Sequence, residues 1–185
     1  MCIRDSHGVV RSAQDTGNLG YKMAMDGGVT VSVEAARNTA AGGTDNTYGI
    51  TYTGIDGMTL ALGIGSTATG GTAEVASETA GIKYATGALT FGLQLTKVET
   101  DGTTEDEDGT HMGVTYNVND DFTVGYVRQE TDFSGSSSDE EHSGIQASYS
   151  MGSVSFSGRI SKVDNMGGSA TASDEDKHIT MSIAF

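Results

Sequence analysis

Residues 89–98 read Leu89-Thr90-Phe91-Gly92-Leu93-Gln94-Leu95-Thr96-Lys97-Val98. As far as Leu95, every odd position is bulky and apolar and every even position is small or polar. Successive side chains of an extended strand point to opposite faces. The spacing therefore places Leu89, Phe91, Leu93 and Leu95 on one side, and Thr90, Gly92, Gln94 and Thr96 on the other. A helix would need a 3.6-residue period, which this stretch lacks. The same alternation recurs in Met58, Leu60, Leu62 and Ile64, in Met112, Val114, Tyr116 and Val118, and in Ile179, Met181, Ile183 and Phe185.

Read this way, the chain holds eleven alternating segments: 18–26, 29–37, 46–54, 58–66, 78–86, 89–98, 110–118, 122–132, 142–151, 154–163 and 176–185. Each is about 9–11 residues long, the length a tilted strand needs to cross a bilayer. The connections alternate between short turns and longer stretches (38–45, 67–77, 99–109, 133–141 and 164–175) that hold most of the acidic residues. A hairpin repeat runs through the pattern: Gly49-Ile50-Thr51-Tyr52, Gly81-Ile82-Lys83-Tyr84 and Gly113-Val114-Thr115-Tyr116, with Tyr149 following at similar spacing. Strand-period alternation within each repeat excludes a helical solenoid.

Composition sets the class. Only 36% of the 185 residues are hydrophobic, which is low for a packed soluble globule. With a net charge of −15 this would suggest disorder, were the apolar residues not ordered with period two. The acidic balance argues against nucleic acid as a partner, since that needs a basic footprint. No apolar run is long enough for a transmembrane helix. The opening Met1-Cys2-Ile3-Arg4-Asp5-Ser6 does not share the alternation, and no secretory signal precedes the strands. Cys2 is the sole cysteine and supports neither a disulfide framework nor a redox motif. The expectation is a non-native or truncated leader and loop remnant over 1–17, and one β-barrel domain over 18–185.

Two features favour a membrane barrel over a soluble sandwich. The apolar face is uniform over all segments, with few bulky residues on the other face. Aromatics also gather at the segment ends beside the short turns: Tyr52, Tyr84, Tyr116, Phe122, Tyr149 and Phe185. Tyr suits a membrane–water boundary, with its ring apolar and its hydroxyl wet. These six are the expected periplasmic aromatic girdle.

The closing segment His178-Ile179-Thr180-Met181-Ser182-Ile183-Ala184-Phe185 resembles the C-terminal strand of Gram-negative porins, which end in Phe after alternating apolar residues. The likeness covers about 18–185 and is nearest to general diffusion porins of the alphaproteobacterial kind. It implies an all-β, transmembrane, antiparallel up-and-down barrel in the outer membrane of a Gram-negative bacterium. It also implies a homotrimer, and recognition of Phe185 by the barrel-assembly machinery. With Phe185 at the periplasmic rim, the long connections are extracellular and the short turns periplasmic. Bacterial barrels have an even strand number and start in the periplasm. The expectation is thus an incomplete barrel, about eleven strands of an expected sixteen.

The charged residues sort by face. Arg37, Lys97, Arg128, Lys162 and Lys177 fall on the apolar side near the extracellular rim, where they can face lipopolysaccharide phosphates or simply snorkel to the interface. The expected pore lining is Lys22, Glu34, Lys83, Gln94, His111, Asn117 and Arg159, with Lys22, Lys83 and Arg159 as candidates for a basic stripe. The acids at 101, 105–108, 139–141 and 174–176 read as mobile loop charge; they lack calcium-loop spacing. His111, His142 and His178 point inward on alternate strands, too far apart for one metal ion, so neither metal nor cofactor is expected. His142-Ser143 is no hydrolase pair, because neighbours in a strand face opposite ways. The function expected is passive diffusion of ions and small hydrophilic solutes through a water-filled lumen, without catalysis. The alternatives are the translocator or anchor barrel of a secreted adhesin, an outer-membrane barrel enzyme and, more remotely, a soluble secreted β-protein.

Overall fold

The computed structural model describes residues 18–38, 41–70, 73–102, 106–136 and 138–183. Eleven strands follow one another: β1 Asn18–Met25, β2 Val29–Asn38, β3 Gly43–Tyr52, β4 Met58–Gly70, β5 Ala73–Thr86, β6 Leu89–Thr100, β7 Glu107–Asn117, β8 Phe122–Phe133, β9 Glu140–Met151, β10 Val154–Asp164 and β11 Ser173–Ile183. A single 3₁₀ turn, Met166–Gly168, lies between the last two. Each strand pairs antiparallel with the next, in the order β1 to β11, in one sheet. This is an up-and-down meander in which each strand finds its partner through a local turn.

Turn chemistry sets that connectivity. Thr86 pairs with Leu89 and Met151 with Val154, so Gly87-Ala88 and Gly152-Ser153 are two-residue hairpins. Gly87 and Gly152 take φ of 57° and 59°. A positive φ at the first turn residue lets the hairpin follow the twist of its strands. At 118–121 the Asn119 side chain accepts hydrogen bonds from the backbone N–H groups of Asp121 (2.9 Å) and Phe122 (2.8 Å). That is the local bonding which favours Asn in turns.

The strands run further than alternation alone predicts. β4 extends to Gly70 and β5 starts at Ala73, with Gly70 paired to Ala73 across a bulge, so the loop expected at 67–77 is mostly hairpin. β7, β9 and β11 likewise begin at Glu107, Glu140 and Ser173. Glu107, Asp108, Glu140, Glu141, Asp174, Glu175 and Asp176 are therefore strand residues, not loop charge; Glu105 lies outside the described residues. The physical reason is that these strand ends stand beyond the apolar band. Both faces there are polar, and no period-two signal marks them.

There is no conventional core. Among the described residues only Ala36 is a buried hydrophobic, while Leu62, Leu93, Ile145, Ile160 and Met181 are among many large apolar side chains left open. Nothing described covers the apolar face with a second layer, as a soluble sandwich would require. Among the described residues no helix is long and apolar enough to cross a membrane. Among the described residues no pairing joins β11 back to β1. An open edge leaves backbone N–H and C=O groups that hydrocarbon cannot satisfy, so a membrane setting requires those edges to be paired.

Candidate pore wall

The two faces differ in chemistry and in crowding. Along β6 the exposed positions are Leu89, Phe91, Leu93, Leu95, Lys97 and Glu99, and the half-buried ones are Thr90, Gly92, Gln94, Thr96, Val98 and Thr100. The polar face is the more covered although its side chains are smaller. This is the reverse of a water-soluble sheet. It fits a curved sheet whose inner side is polar and whose outer side meets lipid.

On the apolar face, aromatic side chains gather at the end closed by the short turns. Tyr52, Tyr84, Tyr116 and Tyr149 sit at or near the ends of β3, β5, β7 and β9, and Phe122 opens β8. The Gly-x-x-Tyr repeat is thus one descending strand end per hairpin. Tyr84 meets Phe91 edge-on with ring centroids 5.5 Å apart, and Phe122 meets Tyr149 at 6.5 Å. Such pairs add about 0.5–1.5 kcal/mol beyond their burial. Phe185 lies outside the described residues.

At the opposite rim, four of the five bases that alternate with the apolar side chains are ion-paired. Lys97 meets Glu99 at 2.5 Å, Lys162 meets Asp164 at 2.6 Å and Lys177 meets Glu175 at 2.7 Å. Arg128 lies 3.3 Å from both Glu130 and Glu141. In each same-strand pair the base is nearer the apolar band and the acid nearer the loops. A carboxylate two residues on along a strand points to the same side. It neutralises the base at the edge of the apolar band. Arg37, on β2, is exposed on the same face. Sequence reading missed the acid partners, although their i, i+2 spacing was there to be found.

On the inner face, Lys22 (β1) stands opposite Ser32, Glu34 (β2) opposite Thr47, and Lys83 (β5) opposite Thr59 and Gly92. Gln94 (β6) is opposite His111 (β7), and Asn117 is opposite Thr123, whose hydroxyl donates to Asn117 Oδ1 at 2.9 Å. Arg159 (β10) is opposite both Gln146 and His178. The candidate basic stripe does not assemble. Lys22, Lys83 and Arg159 lie four and five strands apart, about 19 and 24 Å across the sheet. Arg159 is also engaged: its Nε and Nη2 donate to Asp176 Oδ2 at 3.3 and 3.1 Å. His111, His142 and His178 occupy alternate strands β7, β9 and β11.

Near the loop rim, Asn38 and Asp45 are each only 6% exposed. Asn38 Nδ2 donates to the carbonyl of Ala68 at 3.0 Å, and Asp45 Oδ1 accepts from the Ala68 N–H at 2.9 Å. These two side chains tie the β2–β3 hairpin to β4. Further along, Asn165 Nδ2 donates to the Asp139 carbonyl at 2.9 Å and Gly167 N–H to Glu140 Oε2 at 2.8 Å. The stretch 165–172 is thereby held against 138–140.

Comparison with known proteins accords with this geometry. The family model described as Gram-negative porin matches residues 37–185. Among solved structures, the chain is similar to the anion-selective porin from Comamonas acidovorans, with 16% identity, a TM-score of 0.74, and coverage of 91% of this chain and 59% of that one. It is similar also to a porin refined at 1.8 Å, with 18% identity, a TM-score of 0.74, and coverage of 90% and 60%. OmpT, an outer membrane protein of Vibrio cholerae, matches with 14% identity, a TM-score of 0.62, and coverage of 89% and 60%. At such identities the likeness concerns the fold, and the chain spans about 60% of the length of these barrels. No curated protein matches the chain. A family model that spans most of the chain, together with a two-faced antiparallel meander, leads to one conclusion: the chain belongs to the Gram-negative porin family of outer-membrane proteins.

Proposed function

We propose that these strands form wall of a water-filled channel through which ions and small hydrophilic solutes diffuse passively across the outer membrane. The observation that carries this reading is the polarity of the sheet: Leu, Ile, Val, Met, Phe and Tyr dominate one face along the apolar band, and Thr, Ser, Gly and Gln the other. In this reading Lys22, Glu34, Lys83, Gln94, His111, Asn117 and Arg159 meet the aqueous lumen. Size is the main filter and wall charge a bias. Diffusion needs no nucleophile, cofactor or energy input.

The finer features of the proposal follow from family and geometry together. The short-turn rim faces the periplasm, with Tyr52, Tyr84, Tyr116, Phe122, Tyr149 and Phe185 as its aromatic girdle. The ion-paired collar of Lys97, Arg128, Lys162 and Lys177, with Arg37, stands at the level of lipopolysaccharide phosphates. The assembly is a homotrimer, and Phe185 is the residue read by the barrel-assembly machinery.

Liposome swelling tests the reading. Vesicles holding the closed barrel that contains these strands should swell in neutral sugars at a rate that falls steeply with sugar size. Swelling no faster than protein-free vesicles, from a barrel shown to be folded, would overturn the proposal and favour an anchor domain.

A further inference from the structure

We infer that the inner wall carries a binding groove for small neutral polyhydroxylated solutes, running across β6 to β10. The inference rests on the channel reading above, since it places this face in water.

Cross-strand register builds the groove. Gln94, His111, Gln129 and His142 stand directly opposite one another on β6, β7, β8 and β9. Directly paired side chains have Cβ atoms about 4.5–5.5 Å apart, so these four form a continuous polar ladder. Two residues nearer the turn rim, the next inward row is Gly92, Gly113, Val127 and Gly144. Two residues further on, the row is Thr90, Thr115, Gly125, Gln146 and Arg159 on β6 to β10. A floor of mostly glycine therefore lies between two hydrogen-bonding walls. The walls are four residues apart along the strand, about 14 Å between backbones.

The upper wall is oriented rather than loose. Gln94 Nε2 donates to Thr79 Oγ1 at 3.1 Å, and Gln129 Nε2 donates to Thr131 Oγ1 at 3.4 Å. His111 Nε2 lies 3.3 Å from Thr96 Oγ1. All three threonines belong to the next row toward the loop rim. The ladder side chains bend that way and leave the glycine floor open. In this proposal the solute meets the remaining polar atoms, the Gln94 and Gln129 Oε1 and the His111 Nδ1. A side chain already positioned loses less freedom on binding.

The chemistry selects the ligand class. The Gln94 and Gln129 amides both donate and accept, which suits hydroxyl groups that do the same. The guanidinium at the groove's end is matched by the Asp176 carboxylate, so the site presents paired donors and acceptors with little net charge. Neither wall carries Phe, Tyr or Trp, which leaves apolar solutes with little surface to bury against. Vicinal hydroxyls are the group these walls fit.

The test is solute block of ion current through the closed barrel in a planar bilayer. A neutral monosaccharide is compared with polyethylene glycol of equal hydrodynamic size. The expected result is saturable block by the sugar, half-complete in the millimolar range, and no saturation with the polymer. Gln94→Leu and Gln129→Leu lie on different strands, so either suffices if the other misfolds. Each should weaken the block about fivefold, the effect of losing one ordinary hydrogen bond. Ser155→Ala, inward-facing on β10 but outside the groove, should leave the block unchanged. Equal, non-saturating effects of sugar and polymer, or block that survives both leucine variants, would overturn the groove and leave the channel standing. A folded barrel that passes no current before solute is added would overturn both.

Discussion

Leu93 and Gln94 are neighbours on β6 with opposite surroundings, and placing an arginine at each separates the two faces of the sheet. Leu93 is outward and 40% exposed in the isolated sheet, so in a bilayer it meets lipid. It lies four residues from Leu89 at the turn rim and four from Lys97, the first outward charge of the strand. At 3.4 Å per residue that is about 14 Å along the strand in each direction. With a tilt of 35–45° it becomes about 10–11 Å of depth, close to the middle of the apolar band. A cation there costs about 2–4 kcal/mol, a fall of about 30- to 700-fold in the folded-to-unfolded ratio. Gln94→Arg, one residue away, places the same charge on the aqueous side and should cost under about 1 kcal/mol, as surface changes usually do. Leu95→Arg, nearer the rim, should fall between the two. The assay is reversible urea unfolding in lipid vesicles, followed by far-ultraviolet circular dichroism and by heat-modifiable electrophoretic mobility. Equal costs at 93 and 94, or a negligible cost at 93, would refute the assignment of the apolar face to lipid.

Other perturbations have equally definite outcomes. Asp45→Ala strands the half-buried Ala68 N–H and should cost about 1–3 kcal/mol in the same unfolding assay, whereas Asp45→Asn keeps an acceptor and should recover most of it; equal losses would deny the clamp its role. Gly168 has φ of 74°, and an added methyl group would collide with Ser136, so Gly168→Ala should speed limited proteolysis at 134–139 and 165–172 without lowering barrel stability; unchanged cleavage would mean the two loops are not coupled. Asp176→Asn removes the carboxylate partner of Arg159 and should move the zero-current potential in a salt gradient toward anions; no movement would place Arg159 outside the conducting path.

How much of this was legible in the sequence depends on depth in the membrane. Where the wall meets hydrocarbon, one face must be apolar and the other polar, so strands such as 89–98 announce themselves by alternation. Beyond the band both faces are wet and alternation stops. That is why Thr67 to Gly70, and the starts of β7, β9 and β11, read as loops. Their Asp and Glu residues have poor strand propensity and reinforced the error. The faces of Arg37, Lys97, Arg128, Lys162 and Lys177 followed from parity alone. Of their carboxylate partners, Glu130 lies in an expected strand, but Glu99, Glu141, Asp164 and Glu175 fall in stretches that read as connections. Register was the real obstacle. That Gln94, His111 and Gln129 form one row depends on the lengths of the connections 101–106 and 118–121, which a single sequence does not specify. The same holds for Arg159 and Asp176, paired across the β10–β11 connection.

The measurement that bears most directly on the channel is single-channel recording in a planar bilayer, using the closed barrel that contains these strands. The account predicts stepwise openings, a linear current–voltage relation, and conductance that rises in proportion to bulk salt conductivity, as a water-filled lumen requires. A barrel that is folded and inserted in lipid, yet carries no current at any voltage, would contradict it.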